Sequence, residues 1–198
     1  MDATRAEDLR TRVQQVYSSI ATKPRSNHPF PVGRPLAKNV GYPSQYLNNL
    51  PAAAVEAFAG VAAVSLFAKL EAGATVLDIG CGAGLDSLIA AKRLRSTGRV
   101  VGLDFSAAML ARAHHNALTT GFANIQFLRA DAERLPLADA SIDTTLINGI
   151  FNLNPARTAI FAELARVVKP GGAIYAAEIV LRRPLPRATI AKETDWFA

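Results

Sequence analysis

From residue 74 onward the chain repeats one pattern: a short, largely apolar run, a turn, then a stretch with helical periodicity. The apolar runs are "ATVLDIG" (74–80), "GRVVGLD" (98–104), "NIQFLRA" (124–130), "SIDTTLIN" (141–148) and "AIYAAEIV" (173–180). Short runs that are apolar at consecutive positions suit strands buried on both faces of a parallel sheet. Between them, "SAAMLARAHHNAL" places Met109, Leu110, Ala113 and Ala117 on one side of a helix. "NPARTAIFAELARVV" does the same for Ile160, Leu164 and Val167, with Asn154 as the expected cap and Pro155 at the first helical position. "KPGG" at 169–172 is the expected stop. Alternating strand and helix implies βαβ units with right-handed crossovers, hence an α/β fold with helices on both faces of the sheet.

Upstream, Leu9, Val13, Val16, Tyr17 and Ile20 recur at helical spacing, which predicts an amphipathic first helix. "ATKPRSNHPFPVGRPLAKNVGYPS" holds five prolines and reads as a long irregular loop. "LPAAAVEAFAGVAAVSLFAKL" predicts one or two helices, with Gly60 as the break. Residues 1–70 are therefore expected to form an N-terminal helix, a Pro-rich loop and cap helices, and residues 71–198 the core, within one structural domain. With 198 residues, half of them hydrophobic and 19% charged, such a chain can enclose a full apolar core.

The single cysteine excludes an internal disulfide. The N-terminal twenty residues mix charges and lack the apolar segment of a secretory leader, and the longest greasy stretch, "AFAGVAAVSLFA", is too short to span a bilayer. The expectation is a cytoplasmic protein without membrane association. A net charge of +6 would suit nucleic acid, but no block of five or six basic residues occurs, so a small anion is as good a partner for that charge. Nucleic acid is not the expected partner.

Gly80, Gly82 and Gly84 follow the first strand and precede a helix. Glycine permits a sharp turn and close ligand approach, and the helix start offers free N–H groups. Asp104 closes the next strand, 20 residues after Gly84, where an acid can accept hydrogen bonds from both hydroxyls of a ribose. The dinucleotide fingerprint G-x-G-x-x-G would need glycine at 85, where this chain has Leu85. Asp78 would repel a pyrophosphate but suits a cationic amino-acid group. A nicotinamide-dependent oxidoreductase is disfavoured on both counts. Cys81 has no ligand cluster with His28, His114 or His115 and no activating base in view, so it reads as a small buried passenger and no metal is expected.

The stretch "VLDIGCGAGLDS" resembles motif I of the Rossmann-like S-adenosylmethionine methyltransferases. The resemblance implies that Asp78, Gly80, Cys81, Gly82 and Gly84 surround the methionine part of S-adenosylmethionine. It implies that Asp104 and Phe105 meet the ribose side, that Met109 lines the adenine pocket, and that Asp131 and Ala132 meet the adenine edge. Taken without it, Asp78 and Asp131 are also good turn residues, and Met109 sits at core spacing.

A closer resemblance extends from about Val13 to the end. "GYPSQYLNNLP", "VLDIGCGAGLDSLIAAKRL", "VVGLDFSAAMLARAHHNA", "LPLADASIDTTLINGIFNLNPARTAIFAELARVVKPGGAIYAAEIV" and "DWFA" together resemble the arsenite methyltransferase family, with Asn148 in the position of that family's asparagine. That family binds trivalent arsenic through cysteine thiolates, and two of those positions hold Val61 and Gly149 here, which cannot ligate. The resemblance also implies seven strands. Five are readable, so a C-terminal hairpin looks missing, and an apolar sheet edge left open in this way invites pairing with a second copy. The expected function is methyl transfer from S-adenosylmethionine to a small acceptor, leaving S-adenosylhomocysteine. Tyr42, Asn148 and Asn152 are the candidates to face the methyl group. Tyr42 and Tyr17 also read as packing aromatics, and His28 reads as a solvated loop residue. The alternative is a protein that binds the cofactor without turning it over.

Overall fold

The computed structural model describes residues 3–180 together with 182 and 183. Its helices are α1 (Ala3–Thr22), α2 (Gly33–Asn39), α3 (Ser44–Asn48), α4 (Ala52–Glu56), α5 (Val64–Phe67), α6 (Leu85–Leu94), α7 (Ala107–Thr120) and α8 (Arg157–Val167). Its strands are β1 (Thr75–Ile79), β2 (Arg99–Asp104), β3 (Ile125–Arg129), β4 (Ile142–Asn148) and β5 (Val168–Ala177). They form one parallel sheet in the order β3-β2-β1-β4-β5. All five residues of β1 are buried, as a central strand covered on both faces requires.

Side chains alternate between two apolar layers. Val76, Val100 and Leu146 point to one face and pack against Ala90, Ala91 and Leu94 of α6 and Val64 of α5. Leu77, Val101, Leu103 and Ile147 point to the other and meet Ile160, Leu164 and Val167 of α8. Helices thus cover both faces, as the alternation of apolar runs implied. The N-terminal segment joins the first layer: Tyr42, Leu47, Val55 and Phe58 share a buried cluster with Leu85, Leu88 and Ile89.

Three local expectations are corrected. The Pro-rich segment is not wholly irregular, because α2 forms within it. Pro35 is the third residue of that helix, where its missing N–H would have no intrahelical partner anyway. Asn154 and Pro155 lie before α8, which starts at Arg157. The Asn154 side chain instead accepts from the Ala156 N–H at 2.7 Å, closing the turn that leads in. "KPGG" does not separate helix from strand. β5 already pairs at Val168 with Ile142, and the next partners are Thr144 and Ala173, so residues 169–172 bulge out of the ladder. A Cβ on Gly172 would lie 2.7 Å from Val168 Cγ1, so the bulge closes only around glycine.

β5 lies at the sheet edge and leaves Ile174 exposed, followed by exposed Ile179 and Val180. The expectation of a missing hairpin, and the "DWFA" end, concern residues 184–198, outside the described residues. No described helix is long and apolar enough to cross a membrane.

Candidate functional site

β1 lies between β2 and β4, so successive crossovers leave it in opposite directions, and in such sheets a crevice opens at the carboxyl ends of the strands. A cavity of about 320 Å³ occurs there, bounded by the ends of β1, β2 and β4 and by the inner face of α1. The glycine loop forms its floor. The N–H groups of Gly80 and Cys81 both donate to the Leu103 carbonyl, at 2.7 and 3.0 Å, which ties the loop to β2. Gly80 has φ +71°, and a Cβ on it would sit 2.5 Å from Ile150 Cγ2. Gly82 also lines the cavity. Gly84 is not among the lining residues, although Ala83 and Leu85 on either side of it are. It starts α6 at φ +88°, and its bare Cα lets Phe127 and Ala113 close in, with a Cβ only 3.1 Å from Phe127 Cζ.

Asp104 stands at the tip of β2, buried and on the cavity wall. Its Oδ2 accepts from the Gly82 N–H at 2.9 Å and its Oδ1 from the Ser106 N–H at 2.8 Å. Burial pushes this carboxyl up to about 6, against the pull of those backbone donors. A carboxylate offers about four lone-pair sites, so capacity remains for a ligand's hydroxyls. Asp78, deeper in the cavity, accepts from the Ser87 hydroxyl, and burial followed by the nearby Asp86 charge raises its pKa. Cys81 packs with Leu110, Ala113 and Phe127. Burial, then the Asp104 and Asp78 charges, push its thiol well up, which opposes the nucleophilic thiolate.

At the other end, Met109 is buried and lines the cavity, its N–H donating to the Ser106 hydroxyl that caps α7. Phe105, Asp131 and Ala132 complete that end. Asp131 is half exposed and paired with Arg10 of α1, whose guanidinium also reaches Glu133 at 3.1 Å.

The three expected methyl-facing candidates separate. Tyr42 does not line the cavity. Its ring stacks edge-on against Phe58 at 5.1 Å, and its hydroxyl donates to Asp86 Oδ1 at 2.5 Å and to the Ala62 carbonyl at 3.1 Å. Asn152 does not line it either; its amide donates to the Ile179 carbonyl. Both leave the set for this reason. Asn148 does line the cavity, but every hydrogen-bonding site of its amide is spent. Its Oδ1 accepts from the N–H groups of Val61 (2.7 Å) and Ala62 (3.2 Å), and its Nδ2 donates to the Ala62 carbonyl (2.8 Å) and Asp86 Oδ2 (2.9 Å). His28 is held within its own turn by the Lys23 carbonyl and Ser26.

Sequence reasoning missed the contribution of α1. Glu7, Arg10, Val13 and Tyr17 fall on one helix face and form the cavity's outer wall. The periodicity marked that face as apolar, but nothing local said it would lie across the ends of β1 and β2. The positions of the two expected thiolates do converge, since a Cβ on Gly149 would lie 3.4 Å from Val61 Cγ1. They present hydrocarbon and no ligating atom. Among the described residues, no group of three or more His, Cys, Asp and Glu is placed to hold a metal ion.

The Methyltransferase domain family profile matches residues 70–197. The chain is 34% identical over 120 residues to the arsenite methyltransferase of Halobacterium salinarum, which covers 61% of this chain and 31% of that protein. It is 37% identical over 107 residues to the demethylmenaquinone methyltransferase of Bacillus licheniformis, covering 54% and 45%. The matched stretch thus spans about a third to a half of these curated relatives. Among solved structures, the arsenic(III) S-adenosylmethionine methyltransferase of Chlamydomonas reinhardtii superposes with TM-score 0.60 at 26% identity, covering 85% of this chain and 58% of that one. An Aquifex aeolicus SAM-dependent methyltransferase shares the fold, with TM-score 0.53 at 24% identity over 64% and 69%. With its glycine loop, strand-tip acid and switch-point cavity, the chain belongs to the methyltransferase domain family.

Proposed function

We propose that the protein transfers a methyl group from S-adenosylmethionine to a small, predominantly apolar organic acceptor. The observation that carries this reading is the mixed lining of one cavity. At the ends of β1 and β2 it offers Asp104 with lone pairs to spare for ribose hydroxyls, Met109 and Ala132 for a base, and Asp78 for a cationic group. The lining also includes the hydrocarbon of Ala57, Phe58, Ala59, Ile150 and Leu153. When bound, S-adenosylmethionine supplies an electrophilic methyl group on a sulfonium centre. The protein's part is to hold both reactants at attacking distance with water excluded, which needs no obligatory side-chain base. Val61 and Gly149 lack the sulfur that a trivalent arsenic centre favours. The wall therefore supports an organic acceptor, as the name of the demethylmenaquinone relative denotes for that protein, over arsenite.

A second reading, binding without turnover, draws on the saturation of Asn148 and the positions of Tyr42 and Asn152 away from the cavity. Tritiated methyl transfer into a panel of phenols, quinols and amines separates the two; label in no acceptor, with binding intact, favours the second. For the cofactor, S-adenosylhomocysteine should raise the melting temperature and NAD should not. Asp104→Ala should weaken S-adenosylhomocysteine by about 1–3 kcal/mol, as loss of hydrogen bonds to a charged acceptor does. An unchanged affinity would mean the ribose is held elsewhere.

A further inference from the structure

The chain carries a net charge of +6, yet its cavity is lined by acids. Arg10 is the only basic residue of the described lining, and it is committed to Asp131 and Glu133 at the rim. Deeper in, the carboxylates have neutral partners. Asp78 accepts from the Ser87 hydroxyl, and Asp86 from the Tyr42 hydroxyl, the Ser65 N–H and the Asn148 amide. Asp104 accepts from the N–H groups of Gly82 and Ser106. A fourth acid, Glu178, follows β5 and holds the stretch that supplies hydrocarbon to the lining. Its Oε1 accepts at 2.8 Å from the N–H of Phe151, between the lining residues Ile150 and Leu153. Its Oε2 is buried without a hydrogen-bond partner among the described residues. No ion pair among the described residues reaches any of these four acids. Two groups on the cavity wall register the resulting field. The charges of Asp104 and Glu178 add to burial in raising the Tyr17 phenol, and those of Asp104 and Asp78 add to burial in raising the Cys81 thiol.

Such a lining suits a positive charge that stays in the cavity and opposes a negative one. The bound cofactor's sulfonium is one positive charge, and its fate depends on the acceptor. A phenol attacks well only after losing its proton. Tyr42 and Asn152 lie away from the cavity and Asn148 is committed, so none of them is free to take that proton, and the phenolate would face the acids. An aliphatic amine would be held by the same acids as its ammonium, which has no lone pair. A nitrogen within an aromatic ring meets neither obstacle. It is uncharged near neutral pH, has no proton to lose, and sits on a ring that can pack against Phe58 and Leu153. Resting on the S-adenosylmethionine reading above, we infer that the methyl acceptor is an uncharged, weakly basic ring nitrogen of the pyridine or quinoline type. Its lone pair forms the new bond to the methyl carbon, and the carbon–sulfur bond breaks with its pair left on sulfur. Sulfur becomes a neutral thioether and nitrogen takes the positive charge. No proton moves, so no base is required, and the charge enclosed by the carboxylates is the same before and after transfer. The face of the Phe58 ring adds attraction for the cationic product.

The test titrates protein saturated with S-adenosylhomocysteine, by calorimetry, with two rings of similar shape. N-methylquinolinium is the cationic product of the proposed transfer, and naphthol represents a phenolic acceptor. The cation is expected to bind roughly 10-fold tighter or more. Glu178→Gln keeps an oxygen for the Phe151 N–H and removes the charge, and a thermal melt checks that it folds. It should weaken N-methylquinolinium about 3-fold or more and leave naphthol unchanged. In the tritium assay, label should enter quinoline and not naphthol. Naphthol binding as tightly as the cation, neither ring binding, or label entering naphthol in preference to quinoline would each overturn the inference. So would an unchanged N-methylquinolinium affinity in folded Glu178→Gln. Wild-type protein that failed to bind S-adenosylhomocysteine would overturn the cofactor reading itself, a failure seen before either ring is added.

Discussion

Asp86 and Asp104 are two carboxylates of nearly equal burial, 6% and 7% exposed, on the same cavity, and they are used in opposite ways. Asp86 accepts from the Tyr42 hydroxyl, the Ser65 N–H and the Asn148 amide. Three of its roughly four lone-pair sites join three distant chain segments, and through Asn148 it also fixes residues 61 and 62. Asp104 accepts from its own neighbourhood, Gly82 across the loop and Ser106 two residues on, with the Phe105 backbone beside them. Burial is therefore no guide to function here. The distinction is whether a polar group's hydrogen-bonding capacity is exhausted by the fold or left over for something else.

The strongest way to break this comparison is Asn148→Ala. If the Asp86 network is structural, the substitution leaves a buried carboxylate oxygen and the N–H groups of Val61 and Ala62 short of partners, while the Ala62 carbonyl keeps only the Tyr42 hydroxyl. Stability should fall by about 3–4 kcal/mol. Urea unfolding reads this directly, and a loss below about 1 kcal/mol would place Asn148 on the ligand's side of the comparison instead.

The pH dependence of Asp104 comes next. Its carboxyl rises from 3.8 to about 6 on folding, so the folded state keeps a proton that the unfolded chain has already released. The stability this contributes is fully present below the unfolded value and is lost as pH rises through about 6, a change of about 3 kcal/mol. Asp78, also raised by burial, adds a slope of the same sign. Ribose hydroxyls donate to the ionised form, so S-adenosylhomocysteine affinity should move the other way and strengthen as pH rises through the same window. Denaturant titrations across that range, with and without the ligand, check both signs. Asp104→Asn should flatten both trends, and unaltered slopes in the variant would remove Asp104 from the ligand's side.

The smallest effect is expected at the rim. Arg10 and Asp131 are both more than a third exposed, so Arg10→Ala should cost only about 0.5–1 kcal/mol, and less at high salt. A larger, salt-independent loss would mean that α1 is anchored through this pair rather than through its buried residues Val13 and Ile20.

Much of this architecture was legible before any coordinates. The five apolar runs marked the strands because residues 75–79, 99–104 and 142–148 are buried on both faces, so their composition carries the signal without alternation. The spacing from the glycine loop to Asp104 marked two parts of the wall of one cavity. Less legible were Gly84, whose lost Cβ makes room for Phe127, and "KPGG", whose turn residues bulge a strand rather than end a helix. Turn chemistry is the same in either setting, so local sequence could not choose.

By itself the sequence determined the βαβ alternation, the position of the tight loop and the acid at the neighbouring strand tip, because these depend on residues close together along the chain. Only the tertiary structure decided which polar groups are spent. Asn148 meets residues 86 and 87 positions away and an acid 62 away, and α1 lies over a cavity built from strands far downstream. Hydrogen-bond capacity is used up by whichever groups folding brings within reach, and periodicity carries no record of those partners.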